Sequence, residues 1–158
     1  MRILGLDCSL TATGYAIIEP NGVCHVSGVI RTKPEDWRDN RIGRCVQISD
    51  MIMATCPITN TLVAIEGYAF AGNRGHDLGE LGGIVRYRIR EKGIDFVEIP
   101  PGEWRKKILG KGNAHKDEVR LGLFKKYKVE FKDLNTAEAY GVAMCAHEYL
   151  SEREGLST

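Results

Sequence analysis

The sequence predicts an α/β domain built on a mixed five-stranded sheet, with three antiparallel strands at its N-terminal end and helices on both faces. Three successive apolar stretches near the N-terminus, separated by short turns, predict an antiparallel meander. Two later apolar stretches, residues 61–66 and 95–99, each follow a longer segment with helical periodicity. Strands that are apolar on both faces indicate a sheet covered by helices on either side.

The first two strands enclose a carboxylate. Residues 3–18 predict an apolar strand that reaches Asp7, a turn of small hydroxylated residues, and a second apolar strand ending at Ile18. An ionised carboxylate near the centre of such a sheet is costly to desolvate unless it is paired, hydrogen-bonded or bound to a cation. Asp7 is therefore a candidate site residue, and the alternative is a turn aspartate in a tight hairpin.

A turn at residues 20–22 leads into the third strand, which we predict over residues 23–32. Apolar residues at helical intervals then predict a helix over residues 36–55, which ends before Pro57. Five cations lie beside or within this helix, and we expect them to form a solvated face rather than a phosphate contact: Arg31, Lys33, Arg38, Arg41 and Arg44.

The strand over residues 61–66 repeats the layout of the first, because it also ends on a carboxylate, Glu66. The following loop is rich in glycine, aromatic and cationic residues, including Tyr68, Phe70 and Arg74. A loop of this kind can stack an unpaired base on a ring and hold a phosphate with an arginine. The alternative is that the rings anchor the next helix, and the sequence supports both interpretations equally.

We predict a helix over residues 76–92, with an apolar stripe interrupted by Gly79, Gly82 and Gly83. Small residues allow close approach of another backbone, within one subunit or across a subunit interface. The last strand, residues 95–99, ends at the Pro100–Pro101 pair.

The densest basic segment follows, over residues 103–128. In its middle, a Gly-Lys-Gly-Asn-Ala stretch leads into a helix predicted to begin near His115. Glycines and a helix N-terminus can present backbone N–H groups to a phosphate while lysines neutralise its neighbours. We therefore predict DNA contact for this segment.

The last helix, predicted over residues 135–152, carries Glu138 on or beside its buried face. Two strand-end carboxylates and one helical carboxylate can thus converge. Oxygen ligands without a matching cysteine and histidine set favour Mg²⁺ or Mn²⁺ over zinc.

Four segments resemble the RuvC family of Holliday-junction resolvases within the RNase H-like nuclease superfamily, particularly its divergent phage-type members. These segments are Leu6-Asp7 to Gly14-Tyr15, Ile65-Glu66 to Phe70, Gly110 to Lys116 with the helix start after it, and Asn135-Thr-Ala-Glu138. The resemblance covers nearly the whole chain. It implies an RNase H-like fold and a homodimeric endonuclease that cuts branched DNA, uses Mg²⁺ or Mn²⁺ as a pair in each active site, and leaves 5′ phosphates.

The resemblance also implies roles for individual residues. The expected catalytic residues are Asp7, Glu66, Asn135, Glu138 and Lys116, of which Asp7, Glu66, Asn135 and Glu138 would hold the metal ions. The expected DNA-binding residues are Tyr68, Phe70, Arg74, Lys107, Lys111, His115 and Lys116.

Asn135 departs from the family pattern, in which an aspartate or histidine stands at this position. An amide oxygen can coordinate a cation but carries no charge and cannot act as a base. Asn135 could also be a helix N-cap. Three alternatives follow: the site works with fewer charges, nearby Asp133 compensates, or the chain is an inactivated form.

Other functions compete with this interpretation. A nuclease of the same fold acting on flaps or RNA/DNA hybrids and a catalytically inactive junction-binding protein both fit the sequence. A nucleotide-binding fold of the actin and sugar-kinase type is also conceivable, but those proteins normally place two such domains around ATP.

Composition sets further bounds. The chain has 22 basic and 21 acidic residues, so a polyanionic partner must meet a local basic patch. The five cysteines form no CxxC pair, which favours a reducing compartment. We expect one nuclease domain over residues 1–154, a flexible tail over residues 155–158, no membrane span, and a cytoplasmic location in a bacterial cell or phage-infected host.

Overall fold

The computed structural model describes residues 1–34, 40–56, 59–67, 75–153 and 155, and only the backbone of residues 75–78. Five strands and five helices occur within these ranges. In chain order they are β1 Arg2–Asp7, β2 Ala12–Ile18, β3 Cys24–Arg31, α1 Arg41–Thr55, β4 Thr61–Glu66, α2 Gly75–Glu91, β5 Asp95–Ile99, α3 Pro101–Leu109, α4 Lys116–Tyr127 and α5 Leu134–Arg153.

The strands form one mixed sheet in the order β3-β2-β1-β4-β5. The strands β1, β2 and β3 pair in antiparallel fashion, whereas β1 pairs with β4, and β4 with β5, in parallel. Because β1 and β4 are parallel neighbours, their carboxyl ends lie at the same edge of the sheet. Asp7 and Glu66, which end these strands, are therefore neighbours across one strand pair.

Helices cover both faces of the sheet, as the sequence predicts. On one face, Leu4 and Leu6 pack into a core with residues of α1 and α2, such as Ile48 and Val85. On the other face, strand residues pack into a second core with α3, α4 and α5: Ile3, Ile18, Ala64, Trp104, Val119 and Val142. Most of these side chains have no exposed surface, so their burial supplies the main driving force for folding.

Two glycines allow α5 to lie directly against the sheet. A Cβ atom at Gly5 of β1 would stand 2.1 Å from the backbone oxygen of Ala139, and one at Gly14 of β2 would stand 2.1 Å from that of Asn135. Any side chain at either position would push the helix away. This close approach brings the first turns of α5, with Asn135 and Glu138, to the edge of the sheet where Asp7 lies.

The sequence analysis missed one helix, α3. The Pro100–Pro101 pair was interpreted only as the end of a strand, yet Pro101 is also the first residue of α3. Proline is well suited to that position, because its fixed φ is helical and it has no N–H to leave unpaired. Helix α1 begins at Arg41, and residues 35–39 at the predicted start lie outside the described part. The predicted tail falls, apart from Gly155, on positions that are likewise outside it.

Candidate active site

The predicted carboxylates converge on one cleft of about 620 Å³ at the carboxyl edge of β1 and β4. Asp7 and Glu66 reach the cleft from the ends of those strands, and Glu138 reaches it from α5. Its lining comprises Asp7, Cys8, Ser9, Leu10, Thr11, Pro34, Arg44, Ile65, Glu66, Gly67, Gly82, Pro101, Arg105, Lys116, Asn135 and Glu138. A strand-end cleft of this kind is a common place for polar groups to act on a ligand.

Adjacent residues of α3 hold two of the carboxylates. The indole Nε1 of Trp104 donates a hydrogen bond to Glu66 Oε1 at 2.8 Å. The Arg105 Nη2 atom lies 2.7 Å from Glu138 Oε1 and 3.7 Å from Glu66 Oε1. One guanidinium therefore stands between the strand-end carboxylate and the helical one.

The Arg105 guanidinium lies within the carboxylate cluster. In the part of the chain that the structure describes, no three carboxylate, imidazole or thiol side chains are gathered to hold one metal ion. The three carboxylates are nevertheless close enough to act on one another electrostatically. The cluster thus has the donor atoms that a hard cation prefers, with Arg105 placed between two of them.

Among the three carboxyl groups, Asp7 has a pKa that is raised well above its ordinary value. Burial raises its pKa well above the ordinary value of 3.8, and the negative charges of Glu66 and Glu138 raise it further. A hydrogen bond between the Asp7 and Glu66 carboxyl groups acts in the same direction, while the positive charge of Lys116 lowers the pKa. Crowded carboxylates of this kind favour a shared proton or a bound cation.

Glu138 is almost fully buried, with 3% of its surface exposed. Burial raises its pKa, and so does the negative charge of Glu66, whereas the hydrogen bond and charge of Arg105 and the charge of Lys116 oppose them. The predicted position of Glu138 on the buried face of the last helix is therefore confirmed. It needs positive charge nearby in order to remain ionised.

Asn135 lies in the cleft lining beside these carboxylates, but it is not the N-cap of α5. The helix begins at Leu134, and Asp133 Oδ1 accepts hydrogen bonds from both the backbone N and the side-chain Nδ2 of Asn135, at 2.9 and 3.0 Å. Asp133 occupies the capping role because it precedes the helix, where its carboxylate can reach the free N–H groups. The N-cap interpretation of Asn135 was wrong.

Asp133 is fully engaged in this role. Burial alone would raise its pKa, but hydrogen bonds from the Asn135 side chain and backbone and from the Thr136 backbone, together with the charge of Arg31, lower it. Arg31 Nη2 lies 2.5 Å from Asp133 Oδ2. Asp133 is not among the residues that line the cleft. This geometry counts against the alternative in which Asp133 replaces the missing charge of Asn135.

The predicted DNA-binding residues lie at several places. Lys116, the first residue of α4, lines the cleft. Lys111 and His115 are exposed and lie in the loop before α4. Glu118 of α4 accepts hydrogen bonds from the Lys111 Nζ and from the His115 backbone N. Lys107 pairs with Glu152 at 2.6 Å and does not line the cleft. Three further candidates, Tyr68, Phe70 and Arg74, fall outside the described residues.

Three side chains at or beside the cleft were not assigned to the site by the sequence analysis. Trp104 and Arg105 lie on the unpredicted helix α3, and Arg105 was included only in the basic segment over residues 103–128. Arg44 was assigned to a solvated helix face, yet it lines the cleft and its Nη2 donates to the Leu10 carbonyl at 3.0 Å. The sequence held only a weak signal for Trp104 and Arg105, which are an aromatic–arginine pair shortly after β5, the strand that pairs with β4.

The neighbouring thiol of Cys8 lacks the lowered pKa that is typical of a nucleophilic cysteine. Burial raises its pKa to about 12, and the negative charge of Asp7 contributes to the shift. A thiol with this pKa is protonated at neutral pH, and the thiolate is the reactive form. The carboxylates and cations of the cleft therefore remain the candidates for its chemistry.

A mixed sheet in this strand order, with acidic residues at the ends of its two central parallel strands and on the last helix, defines the RNase H-like class of nucleases. The chain also matches the family described as "Crossover junction endodeoxyribonuclease RuvC" over residues 3–147. This protein belongs to the RuvC family.

Individual relatives agree with that assignment. A curated "Crossover junction endodeoxyribonuclease RuvC" from Synechococcus is 31% identical over 91% of this chain and 96% of its own length. The solved structure of Thermus thermophilus RuvC has a TM-score of 0.72 at 22% identity, covering 99% of this chain and 98% of that one. The same protein in complex with its Holliday junction substrate gives 0.71 at 21% identity, with the same coverage. These structures show that the fold is shared.

The helices of the described residues include none that is long and apolar enough to cross a membrane.

Proposed function

We propose that this protein is a structure-selective DNA endonuclease that cuts branched DNA such as Holliday junctions and leaves 5′ phosphates. Membership of the RuvC family supports a nuclease. The observation that carries the proposal is the convergence of Asp7, Glu66 and Glu138 on one cleft that also contains the cations Arg44, Arg105 and Lys116. Acidic groups that hold metal ions, next to cations that meet phosphate, are the requirements of metal-assisted phosphodiester hydrolysis.

We propose Mg²⁺ or Mn²⁺ as the cofactor, as a pair in each active site. The donor set fits these ions, because all of its atoms are oxygens and because the pKa of Asp7 is raised by burial and by the negative charges of Glu66 and Glu138, which a bound cation would offset. Asp7, Glu66, Glu138 and Asn135 would hold them. When bound, the ions lower the pKa of the attacking water and stabilise the leaving oxygen.

Residues beside and within the cleft prepare the site for this chemistry. Trp104 fixes one oxygen of Glu66 and so sets the orientation of that carboxylate. Asp133 accepts from the amide nitrogen of Asn135, which leaves the amide oxygen of Asn135 as the atom available to a cation. The positive charge of Lys116 lowers the pKa of both Asp7 and Glu138, and Lys116 would neutralise a phosphate at the cleft.

We further propose that the protein is a homodimer and that α2 contributes to the interface. Gly79, Gly83 and Tyr87 are spaced by four residues and so share one face of this helix. Among the described residues, a Cβ atom at either glycine would meet nothing within 4 Å, and Tyr87 is 64% exposed. The neighbouring helix α1 also exposes Ile42 and Met51. A two-fold dimer would present two active sites to the approximately two-fold symmetric arms of a junction.

A panel of labelled substrates tests the function. The protein is incubated with a four-way junction, a flap, an RNA/DNA hybrid and a linear duplex, each with and without Mg²⁺ or Mn²⁺. We expect paired, metal-dependent cuts in the junction and little cutting of linear duplex. Preferential cutting of the flap or hybrid would favour the alternative nuclease. Junction binding without cutting in either metal would favour an inactive junction-binding protein.

A further inference from the structure

Two consecutive side chains of α3 contact the carboxylate cluster in different ways. Trp104 is neutral and donates one hydrogen bond to Glu66. Arg105 is charged and spans two carboxylates, at 2.7 Å from Glu138 and 3.7 Å from Glu66. With 20% of its side chain exposed, Arg105 is partly shielded from water, so these charge interactions are only partly screened.

The pairing of Arg105 is incomplete. Its Nε is buried and has no hydrogen-bond partner among the described residues. The guanidinium also lies over the Trp104 ring, 5.1 Å from the ring centroid, a position that supports the charge without using an N–H group. An arginine with an unpaired buried donor is held less firmly than one in a bidentate pair, because that donor has lost water without gaining an acceptor.

Arg105 lies where two of the carboxylates proposed to hold metal ions come together. Glu66 reaches this place from β4 and Glu138 from α5. The guanidinium now supplies the positive charge between them, and no three acidic, histidine or cysteine side chains in the described ranges are gathered for a metal ion. A divalent cation and the guanidinium cannot both occupy this place.

We propose that Arg105 is an exchangeable internal counter-ion, which holds Glu66 and Glu138 in the metal-free protein and is displaced from them when a divalent cation binds. Arg105 is thus a positioning residue that competes with the metal. This inference rests on the proposed metal-dependent function. Because the two cations compete, removing the guanidinium must strengthen metal binding by the free energy that its displacement costs.

Calorimetric titration of the purified protein with MnCl₂ tests the competition. The variant Arg105→Gln removes the charge and keeps a polar side chain. Arg90→Gln is its matched control, since Arg90 also pairs with a carboxylate, Asp95, and lies 5.1 Å from the centroid of an aromatic ring, Phe96, but does not line the cleft. We expect Arg105→Gln to bind Mn²⁺ about tenfold more tightly than wild type, and Arg90→Gln to bind like wild type.

An unchanged or weaker Mn²⁺ affinity in Arg105→Gln would overturn the inference, because Arg105 would then be neutral toward the metal or would support its site. If the wild-type protein bound no divalent cation, the proposed metal-dependent function itself would fail. The two failures are therefore distinguishable in one set of titrations.

A measurement on the wild-type protein avoids any folding defect of the variant. In nitrogen-labelled protein, the arginine Nε–H resonances are followed during titration with diamagnetic Mg²⁺, and Arg105 is assigned by comparison with Arg105→Lys. We expect the Arg105 resonance to shift with metal saturation while that of Arg90 stays in place. An Arg105 resonance that does not respond to saturating Mg²⁺ would overturn the inference.

Discussion

The indole N–H of Trp104 donates a 2.8 Å hydrogen bond to Glu66. A residue of α3 thus fixes the carboxylate that ends β4. The ring is fully buried and packs against α5 so closely that a Cβ at Gly141 would stand 2.6 Å from it. A rigid ring makes a precise hydrogen-bond donor, because it has no freedom to follow the carboxylate if the carboxylate moves. Trp104 therefore joins the packing of the second core to the geometry of the cleft.

We expect Trp104→Phe to reduce both stability and cutting. The variant keeps an aromatic ring but removes the donor to a charged group, which together with the lost ring volume should cost about 2 to 4 kcal/mol. Urea unfolding in EDTA measures the loss of stability, and single-turnover cleavage of a junction measures the loss of activity.

The matched control is Tyr127→Phe, which removes the hydrogen bond from the Tyr127 hydroxyl to Glu148 on the α4–α5 side of the molecule. This variant should lose stability while its cleavage rate stays near that of wild type. Equal cleavage by Trp104→Phe and wild type at full folding would show that the orientation of Glu66 does not matter.

The metal-free protein should become less stable as pH rises above the acid range. The pKa of Asp7 is higher in the folded protein than its ordinary value of 3.8, so the folded state holds the proton more tightly than the unfolded state does. Its contribution to stability is therefore complete below pH 3.8 and is lost as pH rises through the raised pKa. The raised pKa of Glu138 acts in the same direction.

Accordingly, Asp7→Asn should stabilise the metal-free protein at neutral pH, by on the order of 1 kcal/mol or more. Urea midpoints in EDTA, measured for wild type and variant between acid and neutral pH, provide the comparison. We expect the two curves to meet at low pH and to separate as pH rises. A variant that is less stable than wild type at neutral pH would contradict the strain assigned to this carboxylate.

Asn135→Asp should tighten metal binding and increase cutting, because it restores a negative charge to an oxygen-ligand site. The structure also predicts that this substitution lowers the stability of the metal-free protein. The Asn135 side chain now donates to Asp133, and a carboxylate in its place would repel Asp133, so the metal-free variant should lose about 1 kcal/mol of stability.

The double variant Asp133→Asn/Asn135→Asp separates these effects, since it removes the repulsion while keeping the new charge in the cleft. It should keep the gain in metal affinity and recover part of the stability lost by the single variant. The measurements are cleavage rates and urea midpoints across Mg²⁺ and Mn²⁺ titrations. Absence of a gain at every metal concentration would mean that the site is adapted to an amide.

Gly83→Arg should convert the proposed dimer into a monomer, because a long charged side chain would stand on the open face of α2. Replacing glycine inside a helix should also raise the stability of the subunit by up to about 1 kcal/mol. Light scattering at micromolar concentration reports the assembly state. Gly83→Ala is the control and should remain dimeric with a similar gain in helix stability; dimers that persist in Gly83→Arg would place the interface elsewhere.

Local patterns allowed much of this fold to be predicted. The strand ends at Asp7 and Glu66 could be located because apolar runs that close on a carboxylate are local features, and the parallel pairing of β1 and β4 then brings them together. Helix periodicity likewise placed Glu138 on a buried face. The sheet order and the two helical layers agree with the predicted fold class.

The residues that control the carboxylates were harder to foresee. The hydrogen bonds from Trp104 to Glu66 and from Arg105 to Glu138 join positions 38 and 33 residues apart, and no periodic pattern records such a pairing. The alternative that Asn135 is an N-cap rested on residue type alone, whereas α5 begins one residue earlier and Asp133 accepts the hydrogen bond from the backbone N of Asn135. Tertiary hydrogen bonds of this kind depend on how α3 and α5 meet the sheet.

The most direct test of the proposed site compares cleavage and binding of a four-way junction by wild type, Asp7→Asn and Glu66→Gln. Cleavage is measured in Mg²⁺ or Mn²⁺, and binding is measured in Ca²⁺ or without metal. We expect both variants to lose cleavage while junction binding survives, because the affinity comes from phosphate contacts made by lysines and arginines elsewhere. Cutting at the wild-type rate by either variant would contradict the assignment of these carboxylates to catalysis.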